Sequence, residues 1–215
     1  MLISTLTFLV AAGLFAQTVP TITATGSASA AANPDQATIT VSVTTAATVA
    51  IDASSQNAAQ TSRVISALSA TPAASVKTIG YSLQPTYNNA GVITGYSVTN
   101  TLQITTSDLS ITGQLIDTAT QAGANRVQSL SFGLKDSQPL RSQALKLAAV
   151  AARTQVDAIA SGLGVTLGKI VAASDGNVSV IPINLAPGSA ATSTPVITGP
   201  VQVNASVQLS MQIIQ

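Results

Sequence analysis

The sequence has no cysteine, no histidine and no tryptophan, and all seven of its acidic residues are aspartate. Without cysteine there is no disulfide and no thiol nucleophile, so the fold must be held by its core. Without histidine, Ser-His-Asp and Cys-His arrangements are closed. So are the usual zinc and copper sites, because aspartate alone is a poor ligand set for those metals. Charge is also scarce: Lys, Arg, Asp and Glu make up 7% of the chain, with a net charge of +1. A nucleic-acid partner needs a basic stripe to neutralise phosphates, and this composition supplies none. The expectation is a protein that is not an enzyme, with no catalytic residue, no metal and no cofactor.

Long apolar runs are missing after the first sixteen residues, since the most apolar later stretch, "ALKLAAVAARTQVDAIA", is interrupted by Lys146, Arg153 and Asp157. The mature chain is therefore expected to have no transmembrane helix. The opening "MLISTLTFLVAAGLFAQT" carries an apolar run that closes on the small residue Ala16. It reads as a secretory signal over residues 1–16, the alternative being a retained N-terminal anchor helix. Either reading puts the remainder outside the cytoplasm.

Apolar residues are 46% of the chain and fall in periodic patterns, which argues for a packed core over disorder. Residues 17–35 read as an extended small-residue segment closed by an Asn33-Pro34-Asp35 turn. Residues 36–215 read as one domain, with a Pro/Ser/Thr/Gly-rich mobile loop at about 184–200. In "ATITVSVTT", Ile39, Val41 and Val43 alternate with hydroxyls, the sign of a half-buried strand. Ala53, Asn57, Val64, Ile65 and Leu68 make a helical stripe between Ile51 and Ala70. "SVKTIGYSLQPTY" and "ITGYSVTNTLQIT" flank Asn-Asn-Ala-Gly, which predicts an antiparallel hairpin. Asp108 is placed to cap a helix from about Leu109 to Ala122, with Gly123 as its stop.

"RVQSLSFGL" then reads as a strand. The strongest helix has Pro139 in its first turn, a stripe of Leu140, Ala144, Leu147, Ala148 and Ala151, and Gly162 at its end. "TLGKIVAAS" and "VQVNASVQLSMQII" follow as strands, and the edges of the second need a partner or cover. The order makes two βαββ-like units joined by a helix. The class is α+β, with helices packed on antiparallel sheet.

Four stretches in combination resemble the SIMPL-domain family of bacterial exported proteins, which has a mammalian signalling-associated relative. They are "TATGSASAAANPDQATITVSV", "GYSLQPTYNNAGVITGYSVTNTLQIT", "DLSITGQLIDTATQAGANRVQSLSFGLKD" and "ALKLAAVAARTQVDAIASGLGVTLGKIV". The resemblance implies a periplasmic or secreted protein, with outer-membrane association and a stress-defence connection. It supplies no agreed catalytic residues.

The chain's three tyrosines, Tyr81, Tyr87 and Tyr96, all fall on the hairpin, where with Asn88 and Asn89 they form a candidate contact surface. The plainer reading is that the rings cover sheet while the asparagines and Gly91 make a turn. Asp35, Asp108 and Asp117, tested as a carboxylate pair, are better explained by a turn, a cap and a helix surface. "GLGVTLGK" follows a helix and departs from the phosphate-loop pattern, so it is the wrong end for phosphate. Arg126, Lys135, Arg141, Lys146 and Arg153 read as a solvated face sooner than a basic strip.

The functional expectation is a non-enzymatic exported envelope protein. It acts through protein contacts or homo-oligomer assembly, and any link to stress defence is indirect. The alternative is a periplasmic small-molecule or peptide-binding module that uses the 81–96 hairpin.

Overall fold

Hydroxyl and apolar residues alternate along most strands of this chain, and that alternation gives each sheet one apolar face and one polar face. A computed structural model describes residues 19–72, 74–185 and 199–214. The strands are β1 (Thr21–Ala32), β2 (Gln36–Ala47), β3 (Ala74–Tyr87), β4 (Ile93–Thr106), β5 (Arg126–Gly133), β6 (Thr166–Asp175), β7 (Ser179–Ile181), β8 (Ile183–Leu185) and β9 (Val201–Ile214). The helices are α1 (Ala50–Ser69), α2 (Thr112–Ala122) and α3 (Gln138–Leu163), with a single 3-10 turn at Leu109–Ile111 before α2. Helices lie on antiparallel sheets, so the class is α+β.

The first sheet has the order β3-β4-β2-β5-β8. Ile39, Val41, Leu102, Ile104 and Phe132 project from one of its faces and close a core with Val64 and Leu68 of α1 and Leu115 and Ala119 of α2. Thr38, Thr40 and Thr44 of β2 alternate to the other face, opposite Thr105, Gln103 and Thr99 of β4. Asn57, on the buried stripe of α1, is fully buried and sends its Nδ2 to the carbonyls of Val43, 2.9 Å away, and Val98, 3.1 Å away. Its Oδ1 accepts from Thr61 Oγ1 at 3.3 Å, so both ends of the amide are satisfied. One side chain thereby ties the helix to two neighbouring strands.

The second sheet pairs β1 with β9 and β9 with β6, and β7 follows β6 along the same side of β9. α3 covers it with a row at four-residue steps, Leu140, Ala144, Ala148, Ala152, Val156 and Ala160. Beneath that row lie Ile22, Ala24 and Ala30 of β1 and Val203, Ala205, Leu209 and Met211 of β9. A Cβ added at Gly26 would overlap the backbone of Ala148 and Ala152, so strand and helix touch main chain to main chain there.

Several expectations need correction. Residues 201–214 are the central strand β9, paired on both sides, so their edges are not open. The extended segment before residue 36 is strand β1, a full member of the second sheet. "RVQSLSFGL" precedes α3 in the chain, yet as β5 it pairs with β2 in the first sheet. β1 takes its place under α3, so the two helix-on-sheet layers are divided differently from the chain order. α3 ends at Gly164, which takes φ 69°, and Gly162 stays helical. Leu147 is exposed because it falls beside the i, i+4 row that is buried against the sheet. The proposed signal lies outside the described residues, as does residues 186–198 of the proposed mobile loop.

Gly26→Ala should lower unfolding free energy by about 1–3 kcal/mol, because a methyl group there displaces helix backbone. Ser27→Ala, on the exposed face of the same strand, should stay within about 0.5 kcal/mol of wild type. Urea unfolding followed by circular dichroism reads both.

Candidate functional site

β3 and β4 pair in register from Ala74↔Thr106 to Tyr87↔Ile93, with bulges at Thr78/Gly80 and Thr86/Tyr87. β2 ends at Ala47, opposite Tyr96, so beyond that point the hairpin continues as a two-stranded arm. Its turn is built by the residues singled out from sequence. Asn88 Oδ1 accepts from the backbone N–H groups of Ala90 at 2.9 Å and Val92 at 3.0 Å, and Gly91 sits at φ 77°. Asn88 is therefore a turn residue with its side-chain acceptor occupied. Asn89 is exposed at the tip.

The cross-strand register decides where the rings go. Tyr81 stands opposite Asn100, Leu83 opposite Val98 and Pro85 opposite Tyr96. Partners in register share a face, and Val98 is fully buried on the helix side. All three tyrosines therefore belong to the face that α1 covers. α1 touches this face at Tyr81, whose Oη lies 3.3 Å from Ser54 Oγ while the residue stays 58% exposed, and α1 starts one turn earlier at Ala50. Among the described residues no helix lies further along the apolar face. Tyr87 is 59% exposed, Val92 58% and Ile93 49%, so these rings and branched chains do not seal a core. Val49 and Ile51 at the start of α1 are exposed as well. The opposite face of the arm carries Ser82, Gln84, Thr86 and Ser97. No charged residue occurs between Lys77 and Asp108.

The site is an uncharged, one-sided apolar arm. Three of its large residues, Leu83, Val92 and Ile93, escaped a reading centred on aromatics. The signal that would have found them was the charge-free run itself.

The other candidates separate. Asp35 accepts from the Lys135 backbone N–H at 2.6 Å and fastens the β1–β2 connection to the segment after β5. Asp108 accepts from Ser110 N at 3.0 Å and Ser110 Oγ at 2.6 Å, which caps the 3-10 turn Leu109–Ile111, and α2 itself begins at Thr112, three residues after the expected helix start. Asp117 lies within α2. The structure gives these aspartates three separate places. Arg153 pairs with Asp157 at 2.9 Å on the exposed side of α3, an i, i+4 pair worth a few tenths of a kcal/mol. Among the described residues no group of three or more Asp, Glu, His or Cys is placed to hold a metal.

Comparison with known sequences decides the family. Residues 22–211 match the SIMPL family, described as "Protein of unknown function (DUF541)". The chain belongs to the SIMPL family. Within it, this SIMPL chain is 30% identical to the "Uncharacterized protein YggE" of Escherichia coli (strain K12) over 156 residues, 70% of this chain and 63% of the relative. It thus spans less than two thirds of that relative's length. It is also 27% identical over 210 residues to the "26 kDa periplasmic immunogenic protein" of Brucella melitensis biotype 1, covering 89% of this chain and 84% of the relative. The SIMPL match takes in the whole arm and both sheets. No helix among the described residues is long and apolar enough to cross a membrane.

Asn88→Ala should release two turn hydrogen bonds and cost about 0.5–1.5 kcal/mol of stability. Asn89→Ala should be near neutral, and the difference between the two in thermal unfolding checks the assignment of Asn88 to the turn.

Proposed function

We propose that this SIMPL protein works in the periplasm as a non-enzymatic contact protein, assembling with copies of itself. The observation that carries the reading is the β3–β4 arm, an apolar face that outruns its covering helix and has no charge along its length. Contiguous exposed apolar surface of this kind marks a contact site. An uncharged face also meets a copy of itself without like-charge repulsion. The name of the Brucella relative supports the periplasm as the compartment.

A connection with stress defence is, in this proposal, indirect. With no thiol in the chain, oxidation would fall on methionine or tyrosine, and Met211 is only 2% exposed in the core of the second sheet.

A second reading makes the same arm a binding module for a small molecule or peptide, favoured by the largely exposed Tyr87 ring with its phenol at the rim. Ile93→Asp combined with Tyr87→Ser should leave the circular dichroism spectrum unchanged and lower the mass of the exported protein in light scattering at tens of micromolar. Unchanged mass would reject the arm as a self-contact. Weaker binding of an identified ligand by Tyr87→Phe and Tyr96→Phe, at unchanged mass, would favour the second reading.

A further inference from the structure

The arm supplies one contact surface, and the strand edges supply another of different chemistry. β9 is central, so among the described residues the long free edges belong to β3 in the first sheet and to β1 and β6 in the second. Two of these are guarded in the way soluble proteins guard edges. β3 carries Lys77 and Pro85 and breaks register twice. β6 carries Lys169 and also breaks register twice, at Leu167/Ile170 and Ile170/Ala172. β1 has none of these devices. It runs for 12 residues, TITATGSASAAA, without charge or proline, and its register with β9 is unbroken from Thr21↔Gln212 to Ala32↔Val201.

The ladder phase shows which groups face outward. Ile213 N donates to Pro20 O, and hydrogen-bonded pairs alternate along an antiparallel ladder. The even residues of β1 therefore turn their backbone toward β9. Thr21, Thr23, Thr25, Ser27, Ser29 and Ala31 hold their N–H and C=O groups toward the free edge. Among the described residues no strand pairs with them.

The helix above says what fits there. A Cβ on Gly26 would meet Ala151 C at 2.7 Å as well as overlapping Ala148 and Ala152. Leu145, on one flank of the buried row, packs in the same cluster as Val178 and Val180 beyond β9, which leaves the Ala151 flank on the β1 side. At 100° per residue that flank carries Leu147, Ala151, Gln155 and Ala158, which are uncharged, two of them alanine. Lys146, Arg153 and Asp157 occupy the opposite flank.

We infer that β1 is a self-pairing edge: a second copy adds its own β1 antiparallel across a two-fold axis, continuing the second sheet through both molecules. The occupant is a second copy because both layers are self-complementary. Across the axis Thr and Ser meet Thr and Ser on the polar face, a favourable cross-strand pairing. α3 sits over β1 and β9 together. Two copies would thus bring their helices about two strand spacings, roughly 10 Å, apart. That is helix-packing distance, and the uncharged flank is the side that would be in contact. An isologous contact of this kind closes as a dimer. The inference rests on the reading that the protein acts through contacts with copies of itself, and it assigns the pairing step to β1, leaving the arm to join dimers.

The test is light scattering coupled to size exclusion on the exported protein, from micromolar to tens of micromolar. Thr25→Pro removes one outward N–H and leaves the ladder to β9 intact. Thr25→Lys guards the same edge without changing the backbone. Ala158→Glu charges the helix flank. Each should weaken the dimer by roughly tenfold or more at an unchanged circular dichroism spectrum, while Ser82→Lys on the guarded β3 edge should leave the mass unchanged. A monomeric wild-type protein overturns the inference, and so does an assembly whose mass ignores all three variants. An assembly lost in the arm variants but kept in these three overturns the edge and leaves the contact reading standing. Failure of the arm variants alone, with loss of the dimer in these three, leaves the edge standing.

Discussion

The second half of this fold depends on how closely β1 approaches α3. Gly26 meets the helix at its backbone, and the helix answers with alanines at four-residue steps. Large side chains on either surface would hold the two apart and leave the slender β1-β9 pair without cover. Close packing of small residues gives up buried area per residue but gains dense backbone contact, which suits a chain with only three phenylalanines and no tryptophan. The strands that meet there come from opposite ends of the SIMPL match, so this contact also closes the molecule.

The first sheet uses larger residues and a different fastening. Ile39, Leu102, Ile104, Phe132 and Leu68 fill its core, and Asn57 bridges α1 to the carbonyls of β2 and β4. A buried amide would cost stability if unpaired, and here each of its polar atoms has a partner. The helix is thereby held at one place along the strands, and its N-terminus falls short of the hairpin's end. The uncovered arm is a consequence of where α1 stops.

The chain has no histidine, cysteine or glutamate, and the proposed function rests on surfaces. Asp35, Asp108 and Asp157 serve a connection, a cap and a surface pair, and the tyrosines lie along one face of the hairpin. Among the described residues, two surfaces stand without a partner: the apolar face of the hairpin and the unguarded edge of β1. They differ in chemistry, one offering side chains and the other main-chain hydrogen bonds.

Much of the local structure was legible in the sequence. Alternation at Ile39, Val41 and Val43, the stripe from Ala53 to Leu68, the Asp108 cap and the Asn-Asn-Ala-Gly turn all arise from interactions within a few residues. The resemblance to the SIMPL family was legible too, since it rests on whole stretches of sequence. What the sequence left open is pairing at long range. Nothing local tells Val201–Ile214 that it will be central, or tells Arg126–Gly133 to join β2 and not the strand after α3. Nor does the number of tyrosines reveal that Tyr81 and Tyr87 both stay more than half exposed on the face that α1 shares. Periodicity determines which face of an element is apolar. Only the tertiary structure decides which element meets that face, because the choice depends on shape and register between residues far apart in the chain.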